Sequence, residues 1–257
     1  MRTILFLALL LVSSLHAADG LQLEGERWTY REGDWEMTGI LVKPEGDGPF
    51  PAVLISHGRG GSAGSFGMQK AREMVSWGFV CIAPDYTHAG PAMGGKGKGP
   101  VAKGAAPAGD LGASAENLRR AKTCLDLLVK MPEVDPERLA AYGHSMGGFV
   151  TIGLAAKEPE RLKAAAITGS GVSPREGFPA PAVSAVATIR TPFLILHGDA
   201  DPVVRPDQSA AFAEALKAAG VEHERILYPG EGHPIDQTKR EEVFTAVRGW
   251  FAKYGFK

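Results

Sequence analysis

Gly143-His144-Ser145-Met146-Gly147 follows an apolar run, Leu139 to Tyr142, and opens a helical pattern that begins near Met146. G-x-S-x-G between a strand and a helix presents a serine hydroxyl on a turn so sharp that only small residues fit two places to either side. The backbone of such a turn is strained. Its hydroxyl stands at a helix N-terminus, where peptide N–H groups and the helix dipole favour developing negative charge. The chemistry this suits is nucleophilic attack on an acyl carbon. It needs three further parts: a base, an acid that orients the base, and two N–H donors for the oxyanion.

A Gly-rich turn, His57-Gly58-Arg59-Gly60-Gly61, follows a second apolar run, Ala52 to Ser56. The backbone N–H groups of Arg59 and Met146 are the candidate oxyanion donors. The Arg59 side chain has two readings, a grip on a substrate carboxylate or a group facing water. His57 reads as a ring packing the turn. The run Phe193 to Leu196 ends in His197-Gly198-Asp199-Ala200-Asp201, which offers two carboxylates. One orients the imidazole and the other caps or stabilises the turn. Of the seven histidines, His16 lies in an N-terminal leader. His57, His144 and His197 stand in these turns, His88 precedes the nucleophile, and His223 begins a strand, facing solvent or sheet. That leaves His233, in the loop Gly230-Glu231-Gly232-His233-Pro234, as the base.

Positioning these groups requires a parallel sheet. Short continuous apolar runs mark strands covered on both faces: Ala52 to Ser56, Phe79 to Ala83, Leu139 to Tyr142, Ala164 to Thr168 and Phe193 to Leu196, with a more polar His223 to Tyr228. Leu21 to Arg31 and Trp35 to Val42 alternate like antiparallel edge strands. Helical periodicity covers Phe66 to Trp77, Leu111 to Lys130 with Asp110 as its N-cap, Met146 to Lys157, Asp207 to Ala219 and Asp236 to Tyr254. The pattern predicts one α/β domain, residues 18–257, with about eight strands and helices on both faces.

With these motifs the chain resembles the α/β-hydrolase superfamily, and within it the dienelactone hydrolase-like branch. The carrying residues are His57-Gly58-Arg59-Gly60-Gly61, Gly143-His144-Ser145-Met146-Gly147-Gly148, His197-Gly198-Asp199-Ala200-Asp201 and Gly232-His233. The resemblance implies an α/β-hydrolase fold and a triad in the order Ser145, Asp201, His233. Asp201 takes the acid role because the superfamily's acid commonly follows an H-G-x-x-D turn. Dienelactone hydrolase itself carries Cys at the elbow, where this chain has Ser145. The elbow and leader also resemble secreted polyester and cutin hydrolases. Many relatives insert a cap domain between the strands that correspond to Ala164–Thr168 and Phe193–Leu196. Here only residues 169–192 lie between them, so a shallow, open site without a large cap is expected.

Composition sets the outer bounds. The 257 residues are 44% hydrophobic and 22% charged, with 28 Lys and Arg against 29 Asp and Glu. Such a chain buries a sizeable core, and its balanced charge gives no reason to expect nucleic acid or anionic membrane as a partner. Arg2, the apolar run Ile4 to Val12 and Ala17-Ala18 read as a secretory signal, residues 1–17, cut after Ala17 or Ala18. Cys81 and Cys124 both look like core positions, and two buried thiols are preferred to a disulfide. Gly90 to Gly109 holds seven Gly, three Pro and three Lys, and reads as a flexible loop at the carboxyl end of the sheet. The expectation is a secreted or periplasmic serine hydrolase acting on a small-molecule or polymeric ester, with no metal and no organic cofactor. An acyltransferase, a peptidase or amidase on the same triad, and a non-catalytic binding protein on this fold are the alternatives.

Overall fold

The computed structural model describes residues 20–90, 110–173 and 179–256. Nine strands form one mixed sheet in the order β1-β2-β3-β5-β4-β6-β7-β8-β9. They are β1 Leu21–Glu24, β2 Arg27–Glu32, β3 Trp35–Val42, β4 Phe50–Ser56, β5 Val80–Pro84, β6 Val134–His144, β7 Ala164–Thr168, β8 Phe193–Gly198 and β9 His223–Tyr228. The first three and the β3/β5 pair run antiparallel, and every pairing from β5 to β9 is parallel. The count exceeds the expected eight because Leu21 to Arg31 is two strands. Gly25, at φ 61°, turns the chain so that Glu24 pairs with Arg27, a conformation open to glycine at little cost.

Among the described residues six α-helices flank the sheet: α1 Met68–Val75, α2 Ala115–Val129, α3 Met146–Lys157, α4 Pro206–Ala218, α5 Ile235–Thr238 and α6 Arg240–Lys253. Three depart from the periodic reading. A π-helical turn over Ala63–Gly67 precedes α1. The second helix starts after Ser114, whose hydroxyl accepts the Asn117 N–H, and not at Asp110. Gly112 at φ 54° interrupts the helical path, and the Asp110 carbonyl is used by Thr87, Ser114 and Asn117. The last helix is divided at Lys239 into the single turn α5 and the longer α6.

Alternate side chains of each buried strand enter different cores, as a pleat with period two requires. Leu54, Ile82, Ala141, Ile167 and Ile195 pack with α2, α3 and α4. Val53, Ile55, Cys81, Tyr142, Ala166 and Leu196 pack with α1 and α6. Cys81 and Cys124 are free and fully buried, and they belong to these opposite cores. Burial raises both thiols above the ordinary cysteine range. The 1–17 leader and, apart from Gly90, the Gly90 to Gly109 loop lie outside the described residues. A thiol reagent such as DTNB is therefore expected to leave the native protein unlabelled and to titrate two thiols per chain in denaturant. One thiol or none after unfolding without reductant would contradict the free pair.

Candidate active site

Strand register brings the motifs together. Ser56 pairs with Gly143 across β4 and β6, so the residues that follow, His57-Gly58 and His144-Ser145, leave the sheet side by side. A Cβ on Gly58 would stand 3.1 Å from that of Ser145. The chain leaves β4 for β5 on one side and returns to β6 on the other. The crevice between diverging loops at such a switch point is where open α/β sheets bind ligands.

Ser145 is the one non-glycine residue with positive φ among those described, at φ 55° and ψ −121°. Its N–H donates to Thr168 O at 3.0 Å, and its carbonyl accepts the Ser170 hydroxyl at 3.0 Å. Glycines make the turn possible. A Cβ on Gly147 would lie 2.0 Å from Ser56 O, and one on Gly143 2.4 Å from Gly147 O. Met146 is the first residue of α3, so its N–H belongs to the unpaired first turn. In the neighbouring turn, Gly60 N–H goes to His88 O at 3.1 Å and Gly61 N–H to Gly58 O at 3.1 Å. Arg59 sits at the exposed tip of that turn, beside the elbow.

On the other side, Asp201 and His233 meet although they are 32 residues apart: His233 Nδ1 lies 2.7 Å from Asp201 Oδ2. Asp201 Oδ1 accepts the Val203 and Val204 N–H groups at 2.8 and 3.0 Å. Burial alone would raise this carboxyl. The hydrogen bonds from His233, Val203 and Val204 outweigh it and hold Asp201 below the usual carboxylate range. An ionised Asp201 makes Nδ1 the protonated nitrogen of a neutral His233 and leaves Nε2 with the lone pair. The His233 ring lies 4.8 Å, centroid to centroid, from His144, the residue before Ser145.

Asp199 has the other role foreseen for this pair of carboxylates. Its Oδ1 accepts Gly230 N–H at 2.6 Å, and Ala200 N–H donates to Glu231 O at 3.0 Å, so the Asp199 turn clasps the loop that carries His233. His223 lies at the start of β9, half-buried and remote from the elbow. His197 does more than fill a turn. Its Nε2 stands 3.2 Å from Asp201 Oδ2 and 2.9 Å from Val204 O, so the ring braces the acid from behind. The H-G-x-x-D spacing was the available signal, since it puts imidazole and carboxylate four residues apart across one turn.

Behind Arg59, two rings fix the Gly-rich turn. His57 is buried, with Nδ1–H donating to Gly58 O at 2.9 Å and Nε2 accepting Tyr86 N–H at 3.1 Å. His88 Nε2–H donates to His57 O at 3.0 Å, and its Nδ1 accepts from Asn117 Nδ2 at 3.3 Å. Each pattern requires the neutral ring. Burial lowers the pKa of His57 to about 4, that of His88, with the neighbouring His57 adding to it, to about 3, and that of His144 to about 4. Among the described residues no three His, Cys, Asp or Glu side chains cluster as a metal site.

The profile of the dienelactone hydrolase family matches residues 37–253. The chain belongs to this family of hydrolases. It is 27% identical to dipeptidyl-peptidase 5 of Porphyromonas gingivalis over 266 residues, which take in 89% of this chain and 37% of that protein. An acylaminoacyl peptidase of Pyrococcus horikoshii superposes with a TM-score of 0.71 at 18% identity, over 86% of this chain and 40% of that one. A dienelactone hydrolase-like promiscuous phosphotriesterase from metagenomic libraries superposes with a TM-score of 0.68 at 22% identity, over 88% of this chain and 96% of that one. The chain thus spans well under half of the two peptidases and nearly all of the phosphotriesterase. The fold it shares with them is the α/β-hydrolase fold. Between β7 and β8, where a cap would enter, the described residues of this family member hold one short 3₁₀ helix, Val183–Thr188.

Two outcomes follow from this geometry. Ser145→Gly should be more stable to denaturant than Ser145→Ala by about 1 kcal/mol, since only glycine relieves the positive φ, less what glycine adds to unfolded-chain entropy. Equal stabilities would mean that the strain at the elbow is no larger than the entropy glycine adds to the unfolded chain. The histidines set a pH dependence. Unfolded rings take up protons near pH 6.5, whereas His57, His88 and His144 stay neutral in the fold down to about pH 3–4. Stability present above pH 6.5 is therefore lost as pH falls toward 4, by up to about 1.4 kcal/mol per pH unit for each ring. Urea midpoints at pH 7 and pH 5 check this, and His88→Gln should flatten the slope.

Proposed function

We propose that this family member is a serine hydrolase of carboxylic esters. His233 takes the proton of Ser145, the alkoxide attacks the ester carbonyl, and the oxyanion is received by the N–H groups of Arg59 and Met146. Asp201 holds the tautomer of His233 and stabilises its charged form. The alcohol leaves with the proton from His233. Water, deprotonated by the same ring, then hydrolyses the acyl-enzyme. The reading is carried by the 2.7 Å His233–Asp201 bond delivered beside a strained serine elbow.

The peptidase names of two relatives support amide cleavage on the same machinery. Ester is preferred because, among the described residues, Asp199, Asp201 and Asp236 beside the elbow are all engaged, so the amine of a peptide N-terminus finds no free anion in these three. Asp199 holds Gly230, Asp201 holds His233, and Asp236 faces a buried lysine, Lys70. The short segment between β7 and β8 also supports an open site suited to exposed ester groups. The reading includes export. Arg2, the Ile4 to Val12 run and Ala17-Ala18 support a cleaved leader. Among the described residues no helix is long and apolar enough to cross a membrane.

A fluorophosphonate should label Ser145 alone, and Ser145→Ala should lower kcat on p-nitrophenyl esters about a million-fold. Arg59→Ala should leave kcat unchanged, because the donor is backbone, and should raise KM only for substrates bearing a carboxylate. Matched p-nitroanilides turned over faster than p-nitrophenyl esters would replace the esterase reading by the peptidase one. A folded sample that fails to label would overturn both. Mass spectrometry of exported protein should find its N-terminus at Ala18 or Asp19.

A further inference from the structure

One pair of charges has no part in this chemistry and yet is fully buried. Lys70, on α1, puts Nζ 2.7 Å from Asp236 Oδ2, with neither side chain exposed to solvent. The contact to the carboxylate is close but poorly angled. The well-angled hydrogen bond from Nζ runs to the Asp236 carbonyl at 3.3 Å. Rings close the site, with Phe66 4.9 Å and Phe244 5.2 Å from Nζ. Asp236 Oδ1 lies 3.7 Å from His144 Nδ1, which is 3.0 Å from Thr168 Oγ1.

Burying two charges costs several kcal/mol each, and an apolar pair of similar volume often holds a fold as well or better. Adhesion between α1 and α5 therefore does not account for this pair. Its geometry offers another reason. Both contacts of Nζ fall on one residue, three positions after His233, and the intervening residues lead into the single turn α5. On the upstream side the loop contains Gly230 and Gly232, which fix little by themselves. Asp199 clasps that upstream end, and Lys70 is the matching anchor downstream. Through His144, the same carboxylate also borders the ring on which His233 packs.

We propose that Lys70 is a positioning residue: by gripping Asp236 at its carboxylate and its carbonyl, it sets where the His233 imidazole stands relative to Asp201 and Ser145. The proposal rests on the triad reading. Its test is the double variant Lys70→Met/Asp236→Leu, which removes both charges and leaves no buried ion unpaired. Three quantities are compared with the wild type: Tm, kcat and KM on a p-nitrophenyl ester, and the hydrogen-bonded Nδ1–H proton of His233 by NMR. The expected result is an unchanged or higher Tm, kcat lower by about ten- to a hundredfold with KM within about twofold, and a broadened or lost Nδ1–H signal. A stable double variant with wild-type kcat and a sharp Nδ1–H signal would overturn the proposal and leave the pair a structural element. Should that double variant not fold, Lys70→Met/Asp236→Asn also removes both charges while keeping the shape of the Asp236 side chain, and it is read the same way. If wild-type protein neither labels at Ser145 nor turns over esters, the triad reading fails. The Nδ1–H comparison still decides whether Lys70 positions His233.

Discussion

The site depends on how closely α3 is pressed against the ends of β4 and β6. A side chain on Gly147 would collide with Ser56 O, and one on Gly143 with Gly147 O. With both absent, the helix starts immediately after the strand and the connecting residue, Ser145, is driven to positive φ. Strain of this kind persists only where the surroundings over-determine the backbone. Here the constraint comes from the hydrogen bonds of the Ser145 N–H and carbonyl to Thr168 and Ser170, both at the carboxyl end of β7. Moving β7 away would release the turn. Ser145 is therefore held by a neighbouring strand as much as by its own.

Around that turn, Asp201, His57 and His88 have each been settled in one protonation state by their partners. Asp201 faces the His233 and His197 rings and two backbone N–H groups, an arrangement that only a carboxylate satisfies. His57 and His88 each donate with one nitrogen and accept with the other, which only a neutral ring can do. Acid and rings are thus kept apart in charge without solvent. Such preorganisation makes hydrogen-bond donors effective towards developing charge.

The sequence was most legible where the signal is local. Continuous apolar runs marked the parallel strands because both faces of each are covered, and the elbow announced itself because its glycines stand at a fixed spacing around Ser145, although the contact that requires Gly147 is with the distant Ser56. Boundaries set by a single backbone conformation were missed: Gly25 splitting one strand in two, Gly112 moving the second helix cap to Ser114, and Lys239 dividing the last helix. Least legible were partnerships between distant residues. His197 bracing Asp201 was written in the four-residue spacing of its motif. Lys70, by contrast, looked like any polar position of an amphipathic helix, and its partner lies 166 residues on. Periodicity has no information about which charge a helix will bury, since that depends on what arrives later in the chain.

That separation bears on the order in which the molecule can be built. Strands β3 to β6 bring their own neighbours and can pair as soon as they emerge, but α1 carries an ammonium group on the face it must bury. Until Asp236 is supplied, docking α1 leaves that charge unpaired in an apolar layer from which Phe244, on α6, is also missing. A nascent chain ending before α5 therefore keeps one face of its sheet uncovered. The segment from His233 through α6, about a tenth of the polypeptide, supplies the partners of that layer and His233 in the same step, so a chain terminated before it would lack both.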